Sequence, residues 1–398
     1  MGQVTFPPPA GWSPSDRGIA LPCALLFGAM FNLTLVVAGL KEFVLDELGG
    51  TVADATLFFS VETFAYILFA PLWGLMSDRS GRRKVFIVTG FLASSAIYAL
   101  YRTVDSVPVL LGLRFVQGAF SVMGWSLVMA VAFDHPRWGR QGRYLGLIGA
   151  SLIFGVAMGA PIGGYLTRWL GARAPVSAAA VLFALLAVAS LALPKAAEIR
   201  RGARFREIAA ALRAAPRIAL PMAFHFVDRL AVGLFVVVFP LYLDGLGASD
   251  PAVRGRYLAL FLLPFALLQY PAGRMMERTG PLPPLLWGSA GYGLLLTTVG
   301  FADRLLLWPI MIGLGVLASV MFPPAILLVS RWSAPESRGS AVGGFNLAGS
   351  FGFALGPLLG GWVYANWGFA PAFVLCGAIE IVAAAVGWWV VRRWPAET

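Results

Sequence analysis

Charged residues are scarce in this chain. Asp, Glu, Lys and Arg make up 12% of its 398 residues, and hydrophobic residues make up 59%. A soluble domain carries about 25% charged residues. The composition therefore excludes an ordinary soluble protein and indicates a membrane protein with many spans.

Cysteine and histidine are nearly absent, with two residues of each. Cys23 and Cys376 lie in apolar runs, so we expect neither a disulfide framework nor a thiolate metal site. His135 and His225 are too few for a histidine-rich metal centre. The sequence also lacks a glycine loop ending in Gly-Lys-Ser or Gly-Lys-Thr, and it lacks a nucleophile–base pair. We therefore expect no ATP-driven step, no enzyme activity, no metal and no cofactor.

Long apolar runs give twelve candidate membrane spans, because about 20 apolar residues cross a bilayer. The spans are residues 18–40, 54–76, 85–103, 106–131, 144–168, 174–194, 217–243, 255–276, 282–300, 304–330, 340–366 and 370–391. They predict an all-α membrane protein with two pseudo-symmetric six-helix bundles. The expected divisions are a disordered cytoplasmic tail at 1–17 without the layout of a signal peptide, an N-terminal bundle at 18–194, a linker at 195–216 and a C-terminal bundle at 217–398.

Positive charges are distributed unevenly over the loops. With both termini on one side, 21 of the 30 Lys and Arg residues fall on that side and 7 on the other, while Arg114 and Arg229 lie inside spans. The positive-inside rule places the basic side in the cytoplasm, and we expect a bacterial cytoplasmic membrane. The same distribution explains the net charge of +11 without a nucleic acid partner.

The linker carries a short amphipathic pattern. Within residues 203–215, Phe205, Ile208, Ala209 and Leu212 fall on one helical face. We expect a basic helix along the inner membrane surface. It serves either as a tether between the bundles or as a lipid-sensing element.

Glycines repeat between the two halves of the chain. Gly155, Gly159 and Gly163 in span 5 recur 197 positions later in span 11 as Gly352, Gly356 and Gly360. Small residues at every fourth position let helices approach closely in lipid. A doubled membrane unit is typical of a secondary transporter whose site lies between the halves.

Three acidic residues lie inside spans, namely Glu62, Asp228 and Glu380. A charge facing lipid is costly, so we expect all three to face the bundle interior. Burial disfavours the ionised form of a carboxyl group, which suits a group that binds and releases a proton. We expect Glu62 and Asp228 to handle protons or substrate, and Glu380 to tie the last span to its half.

Span 7 contains the sequence His-Phe-Val-Asp-Arg, a dense polar cluster inside the membrane. His225 lies one turn before Asp228 and Arg229, so the three side chains share nearby faces. The cluster is either a substrate or proton site or a satisfied structural network. Further candidates, which either line a cavity or only pack, are Asn32, Gln117, Gln269, Tyr270 and Asn346.

The loop after span 2 carries a motif of the form G-x3-D-x2-G-R-R. Its residues are Gly74, Asp78, Gly81, Arg82 and Arg83. We expect Gly74 at a tight helix contact and Gly81 at a turn that needs backbone freedom. The loop resembles the signature of the major facilitator superfamily, and with the twelve spans the resemblance covers essentially the whole chain. It implies the major facilitator fold and a cytoplasmic gate latch formed by Asp78, Arg82 and Arg83.

Two further motifs resemble patterns of the same family. Arg114, Gln117 and Gly118 in span 4 resemble the family's fourth-span motif, which implies coupling and gating; the alternative is a static ion pair. The small-residue spine of span 5 resembles the antiporter signature of family exporters, with Ala160 departing from that signature. It implies a closely packed hinge between the halves, although packing alone gives the same pattern. Its residues are Gly155, Gly159, Pro161, Gly163 and Gly164.

The resemblance is strongest to the drug:proton antiporter branch of the family. It implies a proton-coupled exporter of an apolar or amphipathic small molecule, monomeric and surrounded by membrane lipids. Exporters of this kind often carry an acid in span 1; here span 1 has none, and the acid that follows it is Glu42. We therefore expect Glu62, Arg114 and Asp228 to handle charge. The alternatives are a carrier of lipids, lysolipids or nutrients with the same fold, and a transporter-shaped receptor.

Overall fold

The computed structural model describes residues 17–134, 141–193, 205–334 and 337–394, and all regular structure in these ranges is helical. Fourteen α-helices follow one another within the described ranges. They are α1 (Arg17–Leu35), α2 (Val52–Ser80), α3 (Arg83–Leu100), α4 (Val107–Asp134), α5 (Gln141–Leu170), α6 (Ala174–Ser190), α7 (Phe205–Ala214), α8 (Ala219–Gly245), α9 (Pro251–Leu267), α10 (Gln269–Thr279), α11 (Leu282–Val299), α12 (Leu307–Trp332), α13 (Arg338–Trp367) and α14 (Phe369–Arg392).

The helices confirm the predicted twelve spans in two bundles. Nine helices of the described ranges are long and apolar enough to cross a membrane, and α6 is a shorter apolar helix. The remaining spans are α11 and the successive pair α9 and α10. Residues 17 and 394 therefore lie at the same end of the bundle. We call this end the terminal face and the other end the opposite face.

The first span ends earlier than the sequence suggests. Helix α1 stops at Leu35, and a π-helix at Lys41–Glu47 follows a short turn. The β-branched Val36 and Val37 and then Gly39 lower the helix propensity here. Gly39 also lies against Thr167 of α5, so close that a Cβ would meet the threonine hydroxyl. The predicted range of 18–40 is thus wrong at its end because the chain turns to pack on α5.

Span 8 is divided into α9 and α10 at Leu268. Pro271 has no N–H to donate to the carbonyl of Leu267, and its ring crowds that carbonyl. The backbone N–H of Leu268 donates to Pro264 and that of Ala272 donates to Leu268, so the chain continues in the same direction across the break. One proline therefore converts a single predicted span into two helices.

Helix α2 has well-defined ends. At its start, the Thr51 hydroxyl accepts from the Asp54 N–H at 3.3 Å while the Asp54 carboxylate accepts from the Thr51 N–H at 2.7 Å, which is a capping box. At its end, Gly81 adopts a φ of 65° and donates its N–H to Ser77. The predicted need for backbone freedom at Gly81 is confirmed.

The predicted linker helix is present as α7, with a different buried face. Ile208 lies against the position where Gly344 of α13 would carry a Cβ, and Ala211 is buried. Leu212, expected on the apolar face, is exposed. The side chain of Phe205 lies outside the described residues. Helix α7 thus turns Ile208 and Ala211 toward the C-terminal bundle, and contact with that bundle decides its orientation.

The repeated glycines bring matching helices together in each half. A Cβ at Gly159 would lie 2.2 Å from the Phe31 carbonyl oxygen of α1. Its counterpart at Gly356 would lie 2.2 Å from the Leu230 carbonyl oxygen of α8. The pairs α1–α5 and α8–α13 therefore have the same close backbone contact, as the doubling of the sequence predicts.

Most of the span-5 glycines do not lie between the halves, which corrects the predicted hinge. Gly155 and Gly163 face Phe27 and Leu35 of α1, within the N-terminal bundle. Gly164 alone in this set faces the other half, where a Cβ would meet the Pro251 carbonyl oxygen at 2.4 Å. The reason is helical geometry, since positions four apart share one face and that face is turned toward α1.

Candidate functional site

A buried ion pair lies in the N-terminal bundle. Nη2 of Arg114 on α4 donates to Oε2 of Glu62 on α2 at 2.5 Å, and both side chains are 0% exposed. The second Glu62 oxygen accepts from the Tyr66 hydroxyl at 2.7 Å. The guanidinium also lies 4.1 Å from the ring centroid of Phe58. Two opposite charges without water around them are held by each other and by their hydrogen bonds.

Neutral partners complete the shell of Arg114. Its Nη1 donates to the Tyr98 hydroxyl at 2.7 Å and to Gln117 Oε1 at 3.0 Å. The Tyr98 hydroxyl also accepts from Asn32 Nδ2 at 2.8 Å. Asn32 and Gln117, predicted as cavity-lining candidates, are thus enclosed members of the Arg114 network. Tyr98 and Tyr66 were not predicted; only Tyr66 carried a signal, because it lies four residues after Glu62.

Gly118 explains how α4 comes close enough to α2 for this pair. A Cβ there would lie 2.8 Å from the Glu62 carbonyl oxygen. The glycine of the fourth-span motif therefore permits backbone contact beside the acid, while Arg114 one turn earlier reaches the carboxylate. The motif and Glu62 form one structural unit.

Of the three residues in the predicted polar cluster of α8, Asp228 and Arg229 contact each other, and His225 packs elsewhere. Asp228 Oδ2 accepts from Arg229 Nε at 2.9 Å and from Nη2 at 2.7 Å. The His225 ring instead stacks on Phe345 of α13, with centroids 3.9 Å apart and an angle of 7°. Neighbouring residues on a helix point about 100° apart, and the long arginine side chain bends back to bridge that angle. His225 therefore belongs to an aromatic contact, and Asp228 and Arg229 to an ion pair.

Glu380 is enclosed in the C-terminal bundle. Its side chain is 0% exposed, and Oε2 accepts from the Ser289 hydroxyl of α11. Gly293 and Gly377 bring α11 and α14 together beside it, since a Cβ at either position would meet the other glycine's carbonyl oxygen. This geometry agrees with the expectation that Glu380 ties the last span to its half.

The other cavity-lining candidates have different surroundings. Asn346 on α13 is exposed. Gln269 begins α10, and its buried Nε2 has no hydrogen-bond partner within the described residues. The side chain of Tyr270 lies outside the described residues. Of these three candidates, only Asn346 has a side chain that the structure describes as exposed.

The gate motif forms an ion pair within its own half. Arg83 Nη2 donates to Asp78 Oδ1 at 2.9 Å, and Arg82, which is exposed, precedes α3 as its N-cap residue. Among the described residues, no atom lies within 4 Å of a Cβ position at Gly74. The predicted tight contact at Gly74 is therefore absent among the described residues in this conformation.

Contacts between the halves join them at the opposite face. Gly361 of α13 lies against Thr56 of α2, and Gly255 of α9 lies against Ala160 of α5. Phe59 and Phe353 meet edge to face, with ring centroids 6.1 Å apart. The α5–α9 and α13–α2 contacts use equivalent helices of the two halves, as expected for a doubled unit.

Ion pairs reinforce this closed seam. Arg254 of α9 is 0% exposed and donates to Glu42 of the other half, while Lys41 Nζ lies 3.7 Å from Asp244 Oδ2. The hydrogen bond from Lys41 to Asp46 raises the pKa of the lysine. Glu42, the first acid after the start of span 1, is therefore a seam residue. Sequence reasoning placed Arg254 in an outer loop and missed its burial.

Comparisons with known proteins place this geometry in a family. The family model described as Major Facilitator Superfamily matches residues 23–249 and 221–398. The chain belongs to the major facilitator superfamily. It is 26% identical to the "Multidrug resistance protein MdtG" of Klebsiella pneumoniae (strain 342), over 98% of this chain and 96% of that protein.

Solved structures share the fold. The nucleoside transporter NupG superposes with a TM-score of 0.76 at 16% identity, covering 96% of this chain and 100% of that chain. A bacterial homologue of the human lysosomal transporter Spinster, solved inward-facing and unoccupied, gives 0.75 at 16%, with coverage of 96% and 100%. As a member of the major facilitator superfamily, this chain is a multi-pass membrane transporter of small molecules and not an enzyme.

Proposed function

We propose that this transporter is a proton-coupled exporter of an apolar or amphipathic small molecule. The observation that carries the proposal is the enclosed pair of Glu62 and Arg114. A proton on Glu62 removes the charge that holds Arg114, so the attraction between α2 and α4 depends on protonation. Export is supported by the printed name of the MdtG relative, a multidrug resistance protein.

Protonation at Glu62 reaches the seam through α2. Phe59 lies three residues before Glu62 on the same helix and contacts Phe353 of the other half, and Thr56, another turn away, contacts Gly361. A shift of α2 relative to α4 therefore moves residues that hold the halves together. In this proposal Asp228 is the second protonatable group, and His225 and Asn346 border the substrate.

The gate is assigned to the terminal face, which we place in the cytoplasm. Most Lys and Arg residues lie on that side, in agreement with the positive-inside rule. Contacts at the opposite face close the seam there, and in this proposal the conformation is the one that opens toward the cytoplasm. Asp78, Arg82 and Arg83 then act as the latch that engages when the cytoplasmic side closes, with Gly74 at the contact.

The test is substrate-induced proton movement in liposomes that contain the purified protein. An internal pH-sensitive dye is read while drugs, lipophilic ions and lysolipids are added in turn. We expect proton flux with one compound class, lost in Glu62→Gln and in Asp228→Asn. Glu380→Gln is the matched control, because it neutralises a third buried carboxyl yet keeps an acceptor for Ser289, and it should retain flux.

Folding must be checked for the Glu62 variant. The Glu62→Gln substitution leaves Arg114 without a counter-charge, and breaking a buried ion pair costs about 3–5 kcal/mol. The double variant Glu62→Gln/Arg114→Gln restores neutrality and serves as the folded comparison. Proton flux equal to that of the parent in both Glu62→Gln and Asp228→Asn would show that neither Glu62 nor Asp228 takes part in coupling. Transport of a compound without any proton flux supports a lipid or nutrient carrier, and binding without transport supports a receptor.

A further inference from the structure

We propose that the substrate presents an anionic or strongly hydrogen-bond-accepting group on an apolar body, and that Arg229 binds this group. The inference rests on the proposed function, since it assigns a substrate class to the same seam between the halves. It separates this transporter from one that selects lipophilic cations.

Carboxylates that would attract a cation are closed off. Both oxygens of Glu62 accept hydrogen bonds, from Arg114 and Tyr66, and the side chain is 0% exposed. Asp228 is 8% exposed and faces the Arg229 guanidinium. Glu380 is enclosed next to Ser289. These three span carboxylates therefore offer an incoming cation no accessible counter-charge.

Arg229 lies beside the surface of α13 that faces the seam. Phe353 on that surface contacts Phe59 of the other half, and the exposed Asn346 lies on the same surface about two turns earlier. A Cβ at Gly349 would be 3.1 Å from Cγ of Arg229. The stem of the arginine side chain therefore lies in the contact between α8 and α13, about one turn of α13 from Phe353.

One edge of the guanidinium is available. Nε and Nη2 both donate to Asp228, whereas Nη1 makes no hydrogen bond within the described residues. The Arg229 side chain is 22% exposed, in contrast to 0% for Arg114. Arginine is the preferred residue for carboxylate, phosphate and similar planar or tetrahedral acceptor groups. Asp228 orients the guanidinium and leaves Nη1 for the ligand.

Aromatic rings next to this edge suit an apolar body. The Arg229 guanidinium carbon lies 5.8 Å from the Phe322 ring centroid. The stacked rings of His225 and Phe345 lie beside Phe322, with centroids of His225 and Phe322 5.6 Å apart. An aromatic or aliphatic body packs here while its acceptor group meets Nη1.

The test uses three probes with one body and different head groups. Pyrenebutyrate is the anion, pyrenebutyltrimethylammonium the cation and pyrenebutanol the neutral acceptor, and binding to the purified full-length protein is measured by equilibrium titration of pyrene fluorescence. We expect pyrenebutyrate to bind the parent at least about ten-fold more tightly than the cation. Arg229→Met should weaken the anion about ten-fold or more, with the cation unchanged.

Matched variants keep the test decisive. Asp228→Asn/Arg229→Met removes the ion pair as a whole and covers the case in which Arg229→Met alone leaves Asp228 uncompensated and unfolds the protein. Arg256→Gln removes an exposed arginine of α9 and should leave all three affinities at the parent value. Equal or tighter binding of the cation by the parent overturns the proposal. Equal loss of all three probes in a folded Arg229 variant also overturns it.

Proton flux with the same probes distinguishes this inference from the proposed coupling. Anion-selective binding without proton flux would contradict the proposed proton coupling and support the proposed substrate class. Proton flux driven by the cation, and not by the anion, would support the proposed proton coupling and overturn the proposed substrate class.

Discussion

The Tyr98 hydroxyl is the meeting point of two buried donors, Arg114 Nη1 and Asn32 Nδ2. Tyr98→Phe keeps the ring and removes the acceptor from both. An unsatisfied buried donor costs about 1–3 kcal/mol, more when charged. We expect a fall of about 2–4 kcal/mol in the free energy of unfolding, measured by denaturation in detergent.

Tyr292 provides a matched control for this prediction. It is also fully buried, and its hydroxyl has no hydrogen-bond partner within the described residues. Tyr292→Phe should therefore leave the stability unchanged or slightly raise it. Equal losses in both variants would contradict the assignment of Tyr98 as an acceptor for Arg114.

At the residue scale, the sequence predicts which charged side chains are costly to expose to lipid. It predicts less well which residue each of them contacts. Glu62 was predicted to face the bundle interior because a charge facing lipid is expensive, and Arg114 was placed inside a span. Their pairing depends on α2 and α4 packing at Gly118, which adjacency in sequence does not reveal. His225 shows the converse, since helical spacing placed it near Asp228 while the partner that it stacks on, Phe345, belongs to another helix.

Among the helices, Gly163 is the position where a side chain is least tolerated. A Cβ there would lie 1.7 Å from the Leu35 carbonyl oxygen, so α1 and α5 must separate. We expect Gly163→Ala to lower the free energy of unfolding by about 1–3 kcal/mol, measured by thermal or chemical denaturation.

Gly149→Ala is the control on the same helix. No described residue lies within 4 Å of its Cβ position, and alanine raises helix stability by about 0.5–1 kcal/mol relative to glycine. This variant should be neutral or stabilising. A Gly163→Ala protein as stable as the parent would show that the α1–α5 contact yields without cost.

Gly74 offers the opposite case, a gate glycine whose Cβ position has no neighbour in the part of the chain that the structure describes. If the latch engages when the terminal face closes, Gly74→Leu should fold normally and lower the transport rate about ten-fold or more by blocking that closure. Gly112→Leu is the control, since its Cβ position on α4 is also open and lies toward the opposite face. Transport by Gly74→Leu at the parent rate would remove Gly74 from the gate.

At the element scale, a helix boundary could be predicted from the sequence only where hydropathy sets it. The twelve spans were predicted from hydropathy because lipid imposes their length. The end of α1 and the break at Leu268 were missed, although Gly39 and Pro271 are present as signals, because a run of apolar residues on both sides outweighed them. The buried face of α7 was wrong because contact with α13 decides it.

For the molecule as a whole, two cations that hold the seam at the opposite face, Lys41 and Arg254, have alternative partners in their own half. Arg254 contacts Glu42 across the seam, while its Nη1 lies 3.6 Å from Asp244 in its own half. Lys41 lies 3.7 Å from Asp244 across the seam and 3.0 Å from Asp46 in its own half. Both cations therefore keep a partner when this face opens, which lowers the cost of separating the halves.

Removing one cross-seam charge should therefore favour the conformation that is open at the opposite face. In Glu42→Gln, Arg254 keeps only its same-half partner Asp244, so the closed seam loses its most buried ion pair and the open state does not. The measurement is the rate at which a maleimide labels Thr56→Cys in detergent, because Thr56 is covered by Gly361 when the seam is closed. We expect a rise of about five-fold, as a shift of about 1 kcal/mol gives.

Glu47→Gln is the matched control, because Glu47 pairs with Arg173 inside the N-terminal bundle. It removes an acid from the same π-helix without touching the seam, so the labelling rate should equal that of the parent. The native Cys23 and Cys376 are buried and contribute a low background. A labelling rate unaffected by Glu42→Gln would mean that the glycine contacts of α5–α9 and α13–α2 close the seam by packing alone, and the ion pairs would then have no part in setting its equilibrium.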